Sequence, residues 1–374
     1  SFLLGQHCPS NNALSGYVHL NHARALLMLR PLEGIRVLDL SRILAGPHAA
    51  QSLGDLGANV TKIEAPWGDD TRGWGPPFQK GFDGENVASY FLSCNRGKSI
   101  QSANIKEDRE HIQSLIEQSD VVIENFRPGT FERYLGSLPK GIILCSISGY
   151  GQNGPRRDEP AFDLTMQARS GIMSITGEAD GPPAKVGVAW IDVMTGMNAV
   201  SSILAALYHR ERTGEGSRID ISLWDTAIAA LVNQGHNALT GVTPKRMGTA
   251  HPNLVPYRVF EASDGWFAVG VGSTGQWNIL VKALGLNAPD EWRENNARIA
   301  ERDAVEGMVQ AHIANHSRDE LETMLVGIPC APVNTVNEAL NDVQSIARKA
   351  VVAVDGVEVL ASPLRFHQNE NNEV

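Results

Sequence analysis

From residue 34 the chain alternates short apolar runs with stretches of helical spacing, and this rhythm constrains the fold more than any other feature. Ile35-Arg-Val-Leu-Asp-Leu40 reads as a buried strand. A helix follows, opened by Pro47 in its first turn and ended by Gly57. Asn59–Glu64 is a second strand, and the Pro-, Gly- and Asp-rich stretch from Pro66 to Gly84 is a loop. The alternation resumes with a strand at Ser99–Ile105, a helix at Lys106–Gln118 and a strand at Val121–Glu124. A short helix at Thr130–Tyr134 and a strand at Gly141–Ile147 complete the series. Strands separated by helices pair in parallel through right-handed crossovers. Residues 34–150 therefore imply an α/β fold with an open, twisted, Rossmann-like parallel sheet.

Further on, apolar helical stretches at Leu164–Ile175 and Met194–Arg212 precede a strand at Arg218–Ser222 and a helix at Trp224–Gly241. The rhythm then changes to a hairpin, Tyr257–Glu261 and Trp266–Val271 around the turn Ser263-Asp-Gly265. Helices at Gln276–Leu284, Glu301–Ala314 and Arg318–Leu325 follow, and an αβ segment runs from Pro332 to Phe366. The division read from this pattern is an N-terminal extension (1–33), a first part of a large domain (34–222), a smaller α+β domain (223–328), and a return to the large domain (329–374).

The chain has 374 residues, enough for one large core or two ordinary ones. Its net charge of −10, from 42 acidic and 32 basic residues, argues against a nucleic-acid partner. No apolar run stands out at the ~20 residues of a membrane span, so no membrane partner is expected. An anionic ligand must be held by a local basic cluster. Cys8, Cys94, Cys145 and Cys330 form no CxxC pair, which disfavours a disulfide framework or a metal site. Ser1–Pro31 contains no acid but holds Arg24, Arg30, three histidines and the patch Ala25-Leu-Leu-Met-Leu29. Acid-poor leaders of this kind are like mitochondrial transit peptides, so the expectation is the mitochondrial matrix, with cytoplasm or peroxisome as alternatives.

Two stretches satisfy Gly-x-Gly-x-x-Gly. Gly149–Gly154 runs into Pro155-Arg-Arg-Asp-Glu-Pro160, which cannot open a helix against a pyrophosphate. Gly270–Gly275 stands between a strand and a helix, but the acid expected to end the next strand falls in the polar stretch at Asp290-Glu291. Both read as turn glycines. Gly-x-Ser-x-Gly, His-Glu-x-x-His and the P-loop are missing, so a serine hydrolase, zinc protease or kinase would lack its defining residues. What remains is a set of loops at the carboxyl ends of the strands, where open α/β sheets bind ligands: Ser41–Gly46, Asn95-Arg-Gly-Lys98, and Asn125–Gly129 with Arg133. Their cations suit a phosphate-bearing ligand, or are solvated loop charge. Asp163 and Asp192 each stand at the mouth of a helix in an apolar setting. Such an acid is either a cap or a reactive group in a dry pocket.

The segments Pro31–Pro47, Gly54–Glu64 and Gly68–Pro77 resemble the opening of the class III CoA-transferases, the family of formyl-CoA transferase, carnitine CoA-transferase and α-methylacyl-CoA racemase. The similarity continues through Asn95–Ser99, Glu124–Gly129, Ser148–Pro155, Phe162-Asp163 and Asp192, covering residue 31 to about 366. It is closest in look to the enzymes that move CoA from succinyl-CoA to glutarate or hydroxymethylglutarate.

The resemblance implies a homodimer of interlocked rings, no tightly bound cofactor, and an acyl-CoA and a carboxylic acid as substrates. It places the nucleophile at Asp192, acting through aspartyl anhydride and aspartyl-CoA intermediates. CoA contacts map onto Leu44, Ala45, Arg96, Lys98, Asn125, Phe126, Arg127 and Arg133. In Arg246–Tyr257, Arg246 or His251 would clamp a distal carboxylate, or the segment is a structural crossing between domains; Asp163 falls beside the substrate. The racemase branch needs a histidine where this chain has Phe162, which carries no proton, so transfer is the better reading and racemisation the alternative. A CoA-binding but catalytically impaired homologue is the remaining one. The glycine-rich flap of formyl-CoA transferases is missing, which disfavours oxalate. Family members continue beyond the position of Phe366 with a Leu-Gly-x-His tail, whereas this chain stops at Val374; Leu3-Leu-Gly-Gln-His7 resembles that tail at the opposite end.

Overall fold

The computed structural model describes residues 29–366. The acid-poor leader up to residue 28, Cys8 and Leu3–His7 lie outside them. In chain order the strands are β1 (Arg36–Asp39), β2 (Asn59–Glu64), β3 (Phe78–Lys80), β4 (Asn86–Ala88), β5 (Ser99–Ser102), β6 (Val121–Glu124) and β7 (Ile143–Ser148). They continue as β8 (Ser217–Ser222), β9 (Tyr257–Ala262), β10 (Gly265–Gly270), β11 (Cys330–Pro332), β12 (Val351–Val354) and β13 (Val357–Leu360).

Six of these form one parallel sheet in the order β5-β2-β1-β6-β7-β8. The chain starts in the middle, works outward through β2 and β5, then returns beside β1 and works outward the other way. The central strands β6 and β7 are buried at every residue, as strands covered on both faces must be. Alternate strand residues feed two cores. Val37, Val121, Ile123, Ile143 and Cys145 pack under Ala45–Asp55 and Trp190–Thr213. Leu38, Leu40, Val122 and Leu144 pack under Arg109–Glu117 and Thr130–Leu135.

A third core surrounds an antiparallel sheet, β11-β10-β9, in which Phe260, Phe267 and Val269 meet Trp277, Leu280, Val305, Val309 and Leu321. The β12–β13 hairpin packs Val357 and Val359 on Val87, Phe91 and Leu92.

Several boundaries differ from those read in the sequence. Helix Ala45–Asp55 starts two residues before Pro47. The acidic loop at 66–84 holds β3 and the turn to β4. Leu164–Ile175 breaks at Gly171, whose φ of 93° ends Asp163–Arg169 before a 3₁₀ turn. Trp224–Gly241 is two helices, Leu223–Ala229 and Val232–Leu239, parted where Val232 takes a φ of 43°. Leu223 and Ala227 pack into the core of the large sheet. Among the described residues the final segment adds no strand to that sheet: β11 pairs with β10 and β12 with β13, while the hairpin's Val357 and Val359 pack on Val87, Phe91 and Leu92 of the first part.

Helix Trp190–Thr213 is 24 residues, longer at its start than the sequence suggests, and is long and apolar enough to cross a membrane by length and composition. Here its Ile191, Ala199 and Ile203 are core residues of the large sheet.

Candidate active site

Because the chain reverses its direction of travel between β1 and β6, the loops after these two strands diverge and leave a crevice at their carboxyl ends. Asp39 ends β1 fully buried, and its Oδ1 accepts from the Ser41 amide at 3.0 Å and from the Ser41 hydroxyl. Its other oxygen takes the Lys98 ammonium at 2.8 Å. Burial opposes the charged form of Asp39, but Lys98 and then Lys62 outweigh it and hold the carboxyl below its usual range. One residue further, Asn125 at the end of β6 clamps Arg42 from both sides. The Arg42 amide donates to Oδ1 at 3.0 Å, and Nδ2 donates to the Arg42 carbonyl at 2.8 Å.

This Arg42–Asn125 staple is a wall between two cavities. On one side lies a cavity of about 570 Å³, with Lys106, Phe126 and Arg127 in its lining and Trp67 among its apolar groups. On the other lies a pocket of about 110 Å³ bounded by Leu44, Ala45, Phe162 and Asp192. Arg42 and Asn125 line both. A large cavity with Arg42, Lys106 and Arg127 among its lining, beside a small one with a carboxylate in its wall, suits a long anionic ligand whose reactive end reaches an acid.

Asp192 sits in the first turn of Trp190–Thr213. Burial, and then the neighbouring Asp163 carboxylate, push its acid up to about 7. Asp163 is itself a cap, though of a different helix from its own. Its Oδ1 accepts from the Ile191 amide at 2.8 Å, and its Oδ2 accepts from Gln167 Nε2 at 2.7 Å. It satisfies a free amide at the start of the helix that carries Asp192. That helix is seated closely. A Cβ on Gly196 would stand 2.8 Å from the Ala45 carbonyl and 2.9 Å from His48 Nδ1.

The structure thus brings together Leu44, Ala45, Asn125, Phe126, Arg127, Asp163 and Asp192. It places the remaining sequence candidates elsewhere. Lys98 is internal, its Nζ donating to Asp39, to the Pro47 carbonyl at 2.8 Å and to Asn95 Oδ1 at 2.9 Å. The Arg96 guanidinium pairs with Asp55. Arg133 lies exposed over the Tyr134 ring. Arg246 donates to the carbonyls of Glu178 and Gly181 at 3.2 and 2.9 Å. His251 packs at a tilt against the Tyr257 ring and accepts from the Asn253 amide at 3.0 Å. None of these five lines either cavity.

Three groups near the site were not singled out in the sequence. Arg42 stood inside the Ser41–Gly46 stretch with no signal to separate it from other loop arginines. Tyr90 is driven up to about 12 by burial, with Asp192 next among the causes. His48 Nδ1 is buried without a partner at the Gly196 crossing, and burial, then Arg96, keeps the ring below its usual acid range. Among the described residues no group of His, Cys, Asp or Glu could hold a metal ion.

An open parallel sheet with a carboxylate in the crevice at its switch point places the molecule among the α/β folds that bind ligands at the carboxyl ends of their strands. The model of CoA-transferase family III matches residues 32–373, and the chain belongs to that family of CoA-transferases. It is 43% identical over 334 residues to the succinate–glutarate CoA-transferase of Agrobacterium fabrum, covering 85% of this chain and 84% of that protein. It is 38% identical over 344 residues to succinyl-CoA:glutarate CoA-transferase of Mus musculus, covering 87% and 77%. In structure it is similar to a CAIB/BAIF family protein from Brucella suis, with a TM-score of 0.82 and 42% identity over 90% of this chain and 93% of the other.

Proposed function

We propose that the protein moves CoA from succinyl-CoA to a dicarboxylic acid, with Asp192 as the group that carries the acyl and CoA moieties in turn. The observation that carries this reading is that Asp192 is the one acid in the lining of the small pocket, across the Arg42–Asn125 wall from the large cavity that Lys106 and Arg127 line. An acid near 7 is ionised in a useful fraction at neutral pH and is more nucleophilic than an ordinary solvated carboxylate.

In the first step an Asp192 oxygen attacks the thioester carbon, the carbon–sulfur bond breaks, and CoA thiolate leaves an aspartyl anhydride. The thiolate then attacks the Asp192 carbonyl carbon, forms aspartyl-CoA and frees the donor acid. An acceptor carboxylate displaces CoA from Asp192 to give a second anhydride. The thiolate finally attacks the acceptor's acyl carbon and restores the aspartate, so no water or cofactor is consumed. In this reading Leu44 and Ala45 border the thioester, and Asn125, Phe126 and Arg127, with Lys106, face the nucleotide end. The relatives named for succinyl-CoA and glutarate support the substrate class. Phe162 supports transfer over racemisation, because that wall of the pocket offers no proton carrier. The exposed Met197 and Tyr208 on the Asp192 helix support association with a second copy.

The test is covalent. Incubation with succinyl-CoA is expected to leave a mass adduct on the peptide containing Asp192, and D192N is expected to show none while transfer falls by roughly 10⁴-fold or more. An unchanged adduct in D192N would overturn the assignment.

A further inference from the structure

The small pocket has a simple charge inventory. Among its lining residues Asp192 is the one acid and Arg42 the one base; the rest are apolar or neutral. A dicarboxylate brought to Asp192 adds a second carboxylate that takes no part in the chemistry. In a pocket of about 110 Å³ that charge must find a partner or stay in water.

Resting on the transfer reading above, we propose that Arg42 selects acceptors that bear a second carboxylate, by binding that distal group. The main chain of Arg42 is held by Asn125 through two hydrogen bonds, which leaves the guanidinium as a mobile head on a fixed base. That head is half exposed, and its one ionic partner among the described residues is the similarly exposed Asp70 at 3.1 Å. An exposed pair of this kind contributes little, so Asp70 yields readily to a carboxylate that Arg42 can grip through two parallel N–H bonds. Arg246 is less suited, since its guanidinium already serves two carbonyls and lines neither cavity. Asp70 thus acts as a resting counter-ion that keeps the selector in place between turnovers.

The experiment compares glutarate with its monomethyl ester, equal in reactive group but lacking the distal charge, as CoA acceptors for wild type, R42Q and R42K. The expected result is a fall of about tenfold in the glutarate-to-ester ratio of kcat/KM for R42Q, with partial recovery in R42K. An unchanged ratio, or a parallel loss for both acceptors, overturns the selector role. The Asp192 adduct with succinyl-CoA is measured on wild type in the same series. Its absence would sink the transfer reading itself, whereas its presence with an unaltered ratio sinks only the role of Arg42.

Discussion

Two charged clusters lie a few residues apart along the end of β1, and they are built in opposite ways. Below the crevice, Asp39, Lys98, Lys62 and Asp69 are buried and saturated. Lys98 spends its donors on Asp39, Pro47 and Asn95, and Lys62 donates to the Ser41 carbonyl at 2.7 Å and pairs with Asp69 at 3.1 Å. At the mouth, the ionic partner of Arg42 among the described residues is the exposed Asp70, and Asp192 is left with an acid raised to about 7. Saturated charge fixes the loops; unsaturated charge is left over for a ligand. In the sequence Lys98 follows a glycine and Arg42 follows a serine, so the local setting does not separate the two kinds.

The comparison can be broken most forcefully at Lys98. K98M strands the Asp39 carboxylate in the core and is expected to cost about 3–5 kcal/mol in urea unfolding, with much of the loss restored when Asp39→Leu removes the orphan. Since the folded acid of Asp39 is held below 3.8, its contribution is present at neutral pH and disappears as pH falls below that value. If K98M instead kept full stability and lost transfer, the distinction between floor and mouth would fail. A smaller effect is expected at Gly196, where an alanine methyl meets backbone and His48 at under 3 Å. G196A should destabilise by about 1–3 kcal/mol, read as a lowered thermal midpoint, with transfer impaired because the Asp192 helix must shift. The mildest change is D163N. Its amide oxygen can still accept from Ile191, but its amide nitrogen then faces the Gln167 Nε2 donor, so stability should drop by about 1–2 kcal/mol. The lost negative charge lets Asp192 ionise more easily, and the acidic limb of the acylation pH profile should move to lower pH by up to about one unit. A shift to higher pH would contradict the assigned effect of Asp163 on Asp192.

The parallel sheet was legible because β1, β6 and β7 are apolar runs of strand length, and a doubly buried strand cannot hide that pattern. Less legible was whatever depended on one backbone angle or a distant partner. Val232 carries no mark of the left-handed turn that splits its helix, and β11 is too short to announce that it joins β10. At the site, strand-end position and family resemblance singled out Leu44 and Ala45, a helix mouth and the same resemblance singled out Asp192, and the three line one small pocket. Arg96 and Lys98 show the limit of such reading. A cation in a glycine-bearing loop has the same local signature whether it faces a phosphate or an acid, and the acids in question, Asp55 and Asp39, lie 41 and 59 residues away.

Between the two clusters Ile43 holds a φ of 74°, a region its branched side chain disfavours by about 1–2 kcal/mol. The Asp69 carboxylate accepts from its amide at 3.3 Å and keeps it there. Residue 43 is in effect a cocked spring beside the small pocket. A bound molecule that lets it swing back into the ordinary range would gain close to a decade in affinity without touching it, so tightness of binding at this enzyme need not track the number of contacts a ligand makes.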